Sequence, residues 1–339
     1  RIRYVIIVAR FSATIYTHKS CKKMNFILTE MTFLRYFMPL IIGGNKRNIK
    51  STVYYHNSGK YNCPNKNIDS LKALSQKYKF NLIKIQNTNL KGTTFFVEGV
   101  GAKDITSDQK ISFTYMTDYQ LMHKKYWDHI DYCVFPSKIF SQVIDRENNN
   151  KSLHFGSPKY DVQFDLDNLS NQYKLGKKNA LFMFPKLEDV SKSKIDSILK
   201  NLCDFEYNIY IKTRGKDPIN PKEYPNVKVI HDGEWHPHPS IDLSFACDLM
   251  INFDSTAVKE ASIFNMPTIN YNVKGKDRGF YGRLPFLLNE NFIFHAESGD
   301  ISQILEKIET TNFTSDFEQA RKKYFFDREN VCDQILSLV

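Results

Sequence analysis

The stretch MINFDSTAVKEASIFNMPTINYN, residues 250–272, sets Asp254, Ser255, Thr256 and Glu260 between an apolar strand and a short helix. Hydroxyls and free backbone N–H groups at such a turn can hold a phosphate. A carboxylate about one helical turn further on, where Glu260 stands, can accept hydrogen bonds from ribose hydroxyls. The plainer account is a helix cap, which Asp254 or Ser255 supplies without any ligand. Taken alone, the local sequence favours the cap.

Other segments carry chemistry of compatible kinds. Lys212 and Arg214 end the strand YNIYIKTR, where Arg214 can pair a phosphate bidentately or stand as an ordinary solvated charge. The loop KGKDRGFYGR (274–283) gathers Arg278 with three further cations and three glycines, a composition that can clamp a diphosphate or an acidic acceptor. In GEWHPHP (233–239), His236 and His238 lack a nearby cysteine, so the reading is a proline-stiffened loop beside a nucleobase pocket and no metal is expected. Group transfer needs an acceptor oxygen deprotonated by a carboxylate or histidine. The candidates are Asp118 and His123 in SFTYMTDYQLMHKKYWDH (112–129), with Glu30 of TEMT (29–32) as an alternative base. Residues such as Asp118 and His123 are more often caps or surface residues. Glu98, Gly99 and Gly101 of VEGVGAK lack GxGxxG spacing and give only a weak signal.

These residues need elements to hold them, and the chain supplies an alternation. At 339 residues it suits two domains of about 150 residues each. From Met24, strand-like NFILT, STVYYH, FNLIKI, TTFFVEG, KISFTYM and YCVFPS interleave with helical segments at 33–41, 67–79 and 138–144. Asn67 or Asp69 is the expected cap of the second helix. After polar stretches at 145–152 and 165–179 the pattern restarts with ALFMFP, YNIYIKTR, VKVI, DLMIN and TINYN, again between helices, and helical segments over 299–309 and 314–339 close the chain. Strands alternating with helices predict parallel βαβ units. The expected fold is α/β: two Rossmann-like doubly wound domains facing a cleft, followed by C-terminal helices. The division expected is a leader of uncertain status at 1–23, an acceptor domain over 24–160, a nucleotide-donor domain over 161–315 and a helical segment over 316–339.

The composition excludes several classes. With 42% hydrophobic and 25% charged residues the chain is neither disordered nor fibrous. Six scattered cysteines without CxxC argue against a zinc site or a disulfide framework, and for a reducing, cytoplasmic setting. The net charge of +10 favours anionic partners, but the lysines are dispersed, so nucleic acid is not expected. The apolar runs YVIIVA and FLRYFMPLII fall short of the ~20 residues of a spanning helix, and 1–23 does not read as a signal peptide.

Three segments bear a family resemblance. CDLMINFDSTAVKEASIFNMPTINYN is similar to the nucleotide-binding segment of GT-B enzymes, closest to the branch of UDP-N-acetylglucosamine 2-epimerases and CDP-glycerol glycerophosphotransferases. HFGSPKYD (154–161) resembles the Gly-x-Pro-(Lys/Arg)-x-Asp segment between the halves in those families, and IYIKTRGKDP resembles their Lys-x-His-Pro strand end, with Arg214 at the histidine. The resemblance implies a glycosyltransferase-type enzyme with Ser255, Thr256 and Glu260 on the nucleotide. It implies a nucleotide-sugar or CDP-polyol donor as substrate, no further cofactor, no metal, and a glycan or lipid-linked acceptor reached by peripheral membrane association. A 2-epimerase-like isomerase and a catalytically silent nucleotide- or glycan-binding protein stay open as alternatives. Ser-Thr-Ala in place of the epimerases' Ser-Gly-Gly leans toward transfer.

Overall fold

The computed structural model describes residues 22–56, 63–115, 127–145, 151–161, 178–213, 219–225, 227–230, 235–236, 239–255, 257–273, 289–325 and 330–339. Its first sheet comprises β1 (Lys23–Leu28), β2 (Lys50–Tyr55), β3 (Asn81–Lys84), β4 (Thr93–Val97), β5 (Gln109–Phe113), β6 (Tyr132–Val134) and β7 (Ser152–Leu153). The strands are all parallel, in the order β3-β2-β1-β4-β5-β6-β7. The central strands are apolar on both faces because helices cover both, and every residue of β4 is buried. On one face Phe95 stacks between Phe26 and Phe113, at centroid distances of 5.1 and 5.8 Å. Helix α1 (Leu34–Lys46) closes that face with Leu34, Phe37, Leu40 and Ile41; α2 (Ile68–Tyr78) and α3 (Lys138–Asp145) are the other crossovers described.

The second sheet repeats the plan with β8 (Asn179–Met183), β9 (Asn208–Lys212), β10 (Lys228–Ile230), β11 (Leu249–Asn252), β12 (Thr268–Tyr271) and β13 (Ile293–Ala296), parallel in the order β10-β9-β8-β11-β12-β13. Its helices are α4 (Lys192–Asp204), α5 (Pro239–Ala246), α6 (Val258–Ile263) and α7 (Ser302–Thr310). Ile195, Ile198 and Leu202 of α4 recur at helical spacing and bury against Phe182, Ile209 and Ile251. Strand β13 escapes the sequence reading because it is an edge strand in whose middle Phe294 is half-buried and His295 exposed.

Residues 154–161 are the described part of the junction between the sheets. Gly156 has φ +99°, a conformation that costs a glycine nothing, and it leads into a single 3-10 turn, Pro158–Tyr160, ending at Asp161. The last helices recross that boundary. Helix α8 (Thr314–Tyr324) packs on α6 of the second unit and α3 of the first, and α9 (Val331–Leu336) lies on α1. Val331, Cys332, Ile335 and Leu336 of α9 belong to the first domain's core. The Asp161 carboxylate accepts from the Cys332 N–H at 2.6 Å, which ties the junction to the start of α9.

Two local expectations are corrected. Neither Asn67 nor Asp69 caps α2 with its side chain; the Asn67 amide donates instead to the Cys63 carbonyl at 2.9 Å. The closing helical segment is two helices, and Asn330, left-handed at φ +64°, immediately precedes the second.

Candidate functional site

In a doubly wound sheet, ligands collect beyond the carboxyl ends of the strands where the strand order reverses. Here those points lie between β1 and β4 in the first sheet and between β8 and β11 in the second. Thr29 and Glu30 follow β1, Glu98 and Gly99 follow β4, and Phe253 through Glu260 follow β11. The residues singled out at 254–260 therefore stand at the second domain's reversal point.

The 252–257 turn is built by three polar side chains. Asn270 on β12 accepts from the Asn252 side-chain amide at 2.7 Å and from the Asp254 N–H at 3.2 Å. Its own amide donates to Asp254 Oδ1 at 3.1 Å, and the Val273 N–H donates to Asp254 Oδ2 at 2.8 Å. Asp254 sits at φ +53°, so this network holds a left-handed aspartate in place. Phe253 anchors the turn from below, stacked on Tyr271 at 5.0 Å. Asp254, expected on the nucleotide, thus spends both carboxylate oxygens on the turn itself. Ser255 Oγ accepts from the Ala257 N–H at 3.3 Å. Replacing Asn270, which is 1% exposed, by Ala leaves the buried Asn252 amide with the Ser255 carbonyl as its one remaining acceptor among the described residues and frees the turn. The expected loss is about 2–3 kcal/mol in denaturant unfolding.

Glu260 is held differently. Its Oε1 accepts from Lys159 Nζ and from the Tyr160 hydroxyl, each at 3.1 Å, and both charged side chains are buried, at 8% and 4% exposure. Burial draws Lys159 down to about 8 against the pull of Glu260, so the ammonium is charged in neutral solution. Burial likewise pushes the Tyr160 phenol well up, with Glu260 adding to it, which keeps the phenol a hydrogen-bond donor. Glu260 Oε2, buried, has no hydrogen-bond partner among the described residues.

Opposite this pair stand residues of the first domain. The Tyr36 hydroxyl donates to the Tyr115 carbonyl at 3.3 Å, and Arg35 lies over the Tyr115 ring at 5.6 Å. Burial raises the Tyr36 phenol well above its usual range; Arg35 opposes this, while Glu98 and Glu260 both add to it. Glu98 is half-buried at φ +57°, and one of its carboxylate oxygens accepts from the Tyr115 N–H.

The remaining sequence candidates fall as follows. Lys212 is buried at the end of β9. Glu30 is half-buried and its carbonyl accepts from the Phe33 N–H, opening a 3-10 turn before α1. Asp118, His123, Thr256, Arg214, Arg278, the rest of the 274–283 loop and His238 lie outside the described residues. His236 meets the ring of Tyr78 in the first domain at 5.2 Å, and Trp235 packs against that domain's core, so this loop bridges the two domains. The sequence gives no role to Asn270, and none to Lys159 or Tyr160 beyond their place in the motif at 154–161. Glu98 stands directly after β4, all of whose residues are buried, and is followed by Gly99.

No family model matches the chain, and no curated protein matches it. Solved structures do. The wall teichoic acid polymerase TagF superimposes with a TM-score of 0.62 at 15% identity, over 94% of this chain and 88% of that one. A putative UDP-N-acetylglucosamine 2-epimerase from Listeria monocytogenes gives 0.55 at 10% identity, over 93% and 95%. The UDP-GlcNAc 2-epimerase of Methanocaldococcus jannaschii, in complex with UDP-GlcNAc and UDP, gives 0.53 at 13% identity, over 93% and 99%. These are the two groups to which the sequence motifs pointed, and with two parallel sheets of matching plan the chain has the GT-B fold.

Proposed function

We propose that the chain transfers a sugar or polyol-phosphate unit from a nucleotide-activated donor to a glycan or lipid-linked acceptor. One observation supports this reading: a buried carboxylate oxygen, Glu260 Oε2, lacks a hydrogen-bond partner among the described residues, at the second sheet's reversal point, where doubly wound sheets commonly bind ligands. An ionised carboxylate in that position accepts from ribose hydroxyls, and Ser255 and Thr256, a few residues earlier, serve the phosphates. In the first domain, Glu98 is the better-placed general base, because it directly follows β4 beside the first sheet's reversal point. In the reaction the acceptor oxygen gives its proton to Glu98 and bonds to the transferred unit, while the nucleotide departs with the electrons of the broken bond. Lys212, Arg214 and Arg278 are the cations available to the departing charge.

A thermal-shift and calorimetric panel of UDP, CDP and GDP tests the nucleotide site. One of them should bind, and Glu260→Ala should weaken it at least about tenfold while leaving the fold intact. Unchanged affinity removes Glu260 from the site. The likeness to two epimerases keeps an isomerase reading in view, and product analysis separates the two. An epimerase interconverts a nucleotide sugar alone, whereas a transferase consumes it only with acceptor.

A further inference from the structure

The Lys159–Glu260 pair joins residues 101 positions apart, one in the junction and one at the second sheet's reversal point. Its geometry is lopsided. A carboxylate has two equivalent oxygens, yet Lys159 Nζ and the Tyr160 hydroxyl both donate to Oε1, and none of the described residues donates to the buried Oε2. Leaving a buried anionic oxygen unsatisfied is costly, so the arrangement makes sense when a ligand completes it.

The junction segment is fixed independently of any ligand. Gly156 sets its left-handed bend, Asp161 is bonded to the Cys332 N–H, and the Tyr160 ring meets Phe325 edge-on at 5.7 Å. Lys159 Nζ also lies 4.2 Å from the centroid of the Tyr160 ring, so the two hydrogen-bond donors constrain one another. The surrounding charges are Arg35 of α1 and Lys259 of α6.

We propose that Lys159, with Tyr160, is a positioning residue: it grips Glu260 by one oxygen and so presents the other to the ribose hydroxyls of a nucleoside diphosphate. Nucleotide recognition by the second domain is then completed from the junction, which itself is locked to the first domain through α9. This inference rests on the nucleotide site proposed above and adds a residue that acts on the ligand only through Glu260.

The test is a calorimetric cycle with whichever of UDP, CDP or GDP the native chain binds. Lys159→Met should weaken binding about tenfold, and Lys159→Arg, which keeps the charge and the hydrogen bond, should restore it to within about threefold. In a Glu260→Ala background, Lys159→Met should cost nothing further, because the group it positions is gone. Tyr160→Phe keeps the ion pair and guards against a Lys159→Met chain that fails to fold; it should lose a few-fold in affinity. Native affinity in Lys159→Met and Tyr160→Phe alongside a weakened Glu260→Ala overturns the positioning role and leaves the nucleotide site standing. Additive losses in the double variant also overturn it. Native affinity in Glu260→Ala overturns both readings together.

Discussion

A Glu98→Gln chain should bind the nucleotide with native affinity and transfer from it about 10²–10⁴ times more slowly, the usual contribution of a positioned general base. The amide oxygen of Gln can keep the bond that the carboxylate accepts from the Tyr115 N–H, so the substitution removes basicity and little else. One feature of the position supports the expectation. Glu98 is held at φ +57°, where a non-glycine residue typically costs 1–3 kcal/mol, and such strain persists where surrounding structure imposes it. What imposes it is visible: the Glu98 N–H donates to the Phe113 carbonyl at 2.8 Å and the Gly99 N–H to Ser112 Oγ at 2.8 Å. Glu30, at the end of the neighbouring strand, is the control. Glu30→Gln should retain most of the transfer measured from a labelled nucleotide donor into a glycan extract. If Glu30→Gln abolishes transfer and Glu98→Gln does not, the base is Glu30.

The fold was legible because the strands of both sheets are short apolar runs separated by helical spacing, and TTFFV or LMIN can hardly be anything but buried strands. What failed were positions decided by remote partners. Asn67 looks like a cap from its neighbours, yet the geometry at the start of α2 sends its amide backward to Cys63. Asp254 looks like a ligand for a phosphate or a helix end, and only Asn270, 16 residues on, reveals that it locks a turn. Glu260 was read from its place one turn into a helix. Its partners, Lys159 and Tyr160, lie about a hundred residues earlier in the motif at 154–161, and nothing in that motif's spacing pairs them with Glu260. Glu98 lacks a glycine pattern around it, and its place beside the first sheet's reversal point follows from strand order, which is a property of the sheet.

The C-terminal helix α9 supplies the second large effect. A chain ending at Phe325 should fail to give a stable first domain, although every strand and crossover helix described in that domain is retained. Four residues of α9, Val331, Cys332, Ile335 and Leu336, are each at most 1% exposed in the core beneath α1. At roughly 1.5–3 kcal/mol for each large buried side chain, their removal costs about 6–12 kcal/mol. That is comparable to the whole stability of an ordinary domain, about 5–15 kcal/mol. The surface contact between Arg47 and Asp333, at 2.7 Å with both side chains 40% exposed or more, cannot account for such a loss, since exposed pairs contribute ~1 kcal/mol at most. Asp161→Asn separates docking from mere length. It leaves α9 in the chain but weakens the charge-assisted bond to the Cys332 N–H, for an expected cost of about 1–3 kcal/mol. Urea unfolding of the native, Asp161→Asn and truncated chains, followed by tyrosine and tryptophan fluorescence, checks the order. A truncated chain as stable as the native one would mean that α9 only rests on the first domain. Because Asp161 immediately follows the Lys159–Tyr160 pair, the same substitution should also loosen the grip on Glu260 and weaken nucleotide binding, which joins the chain's last helix to its binding site.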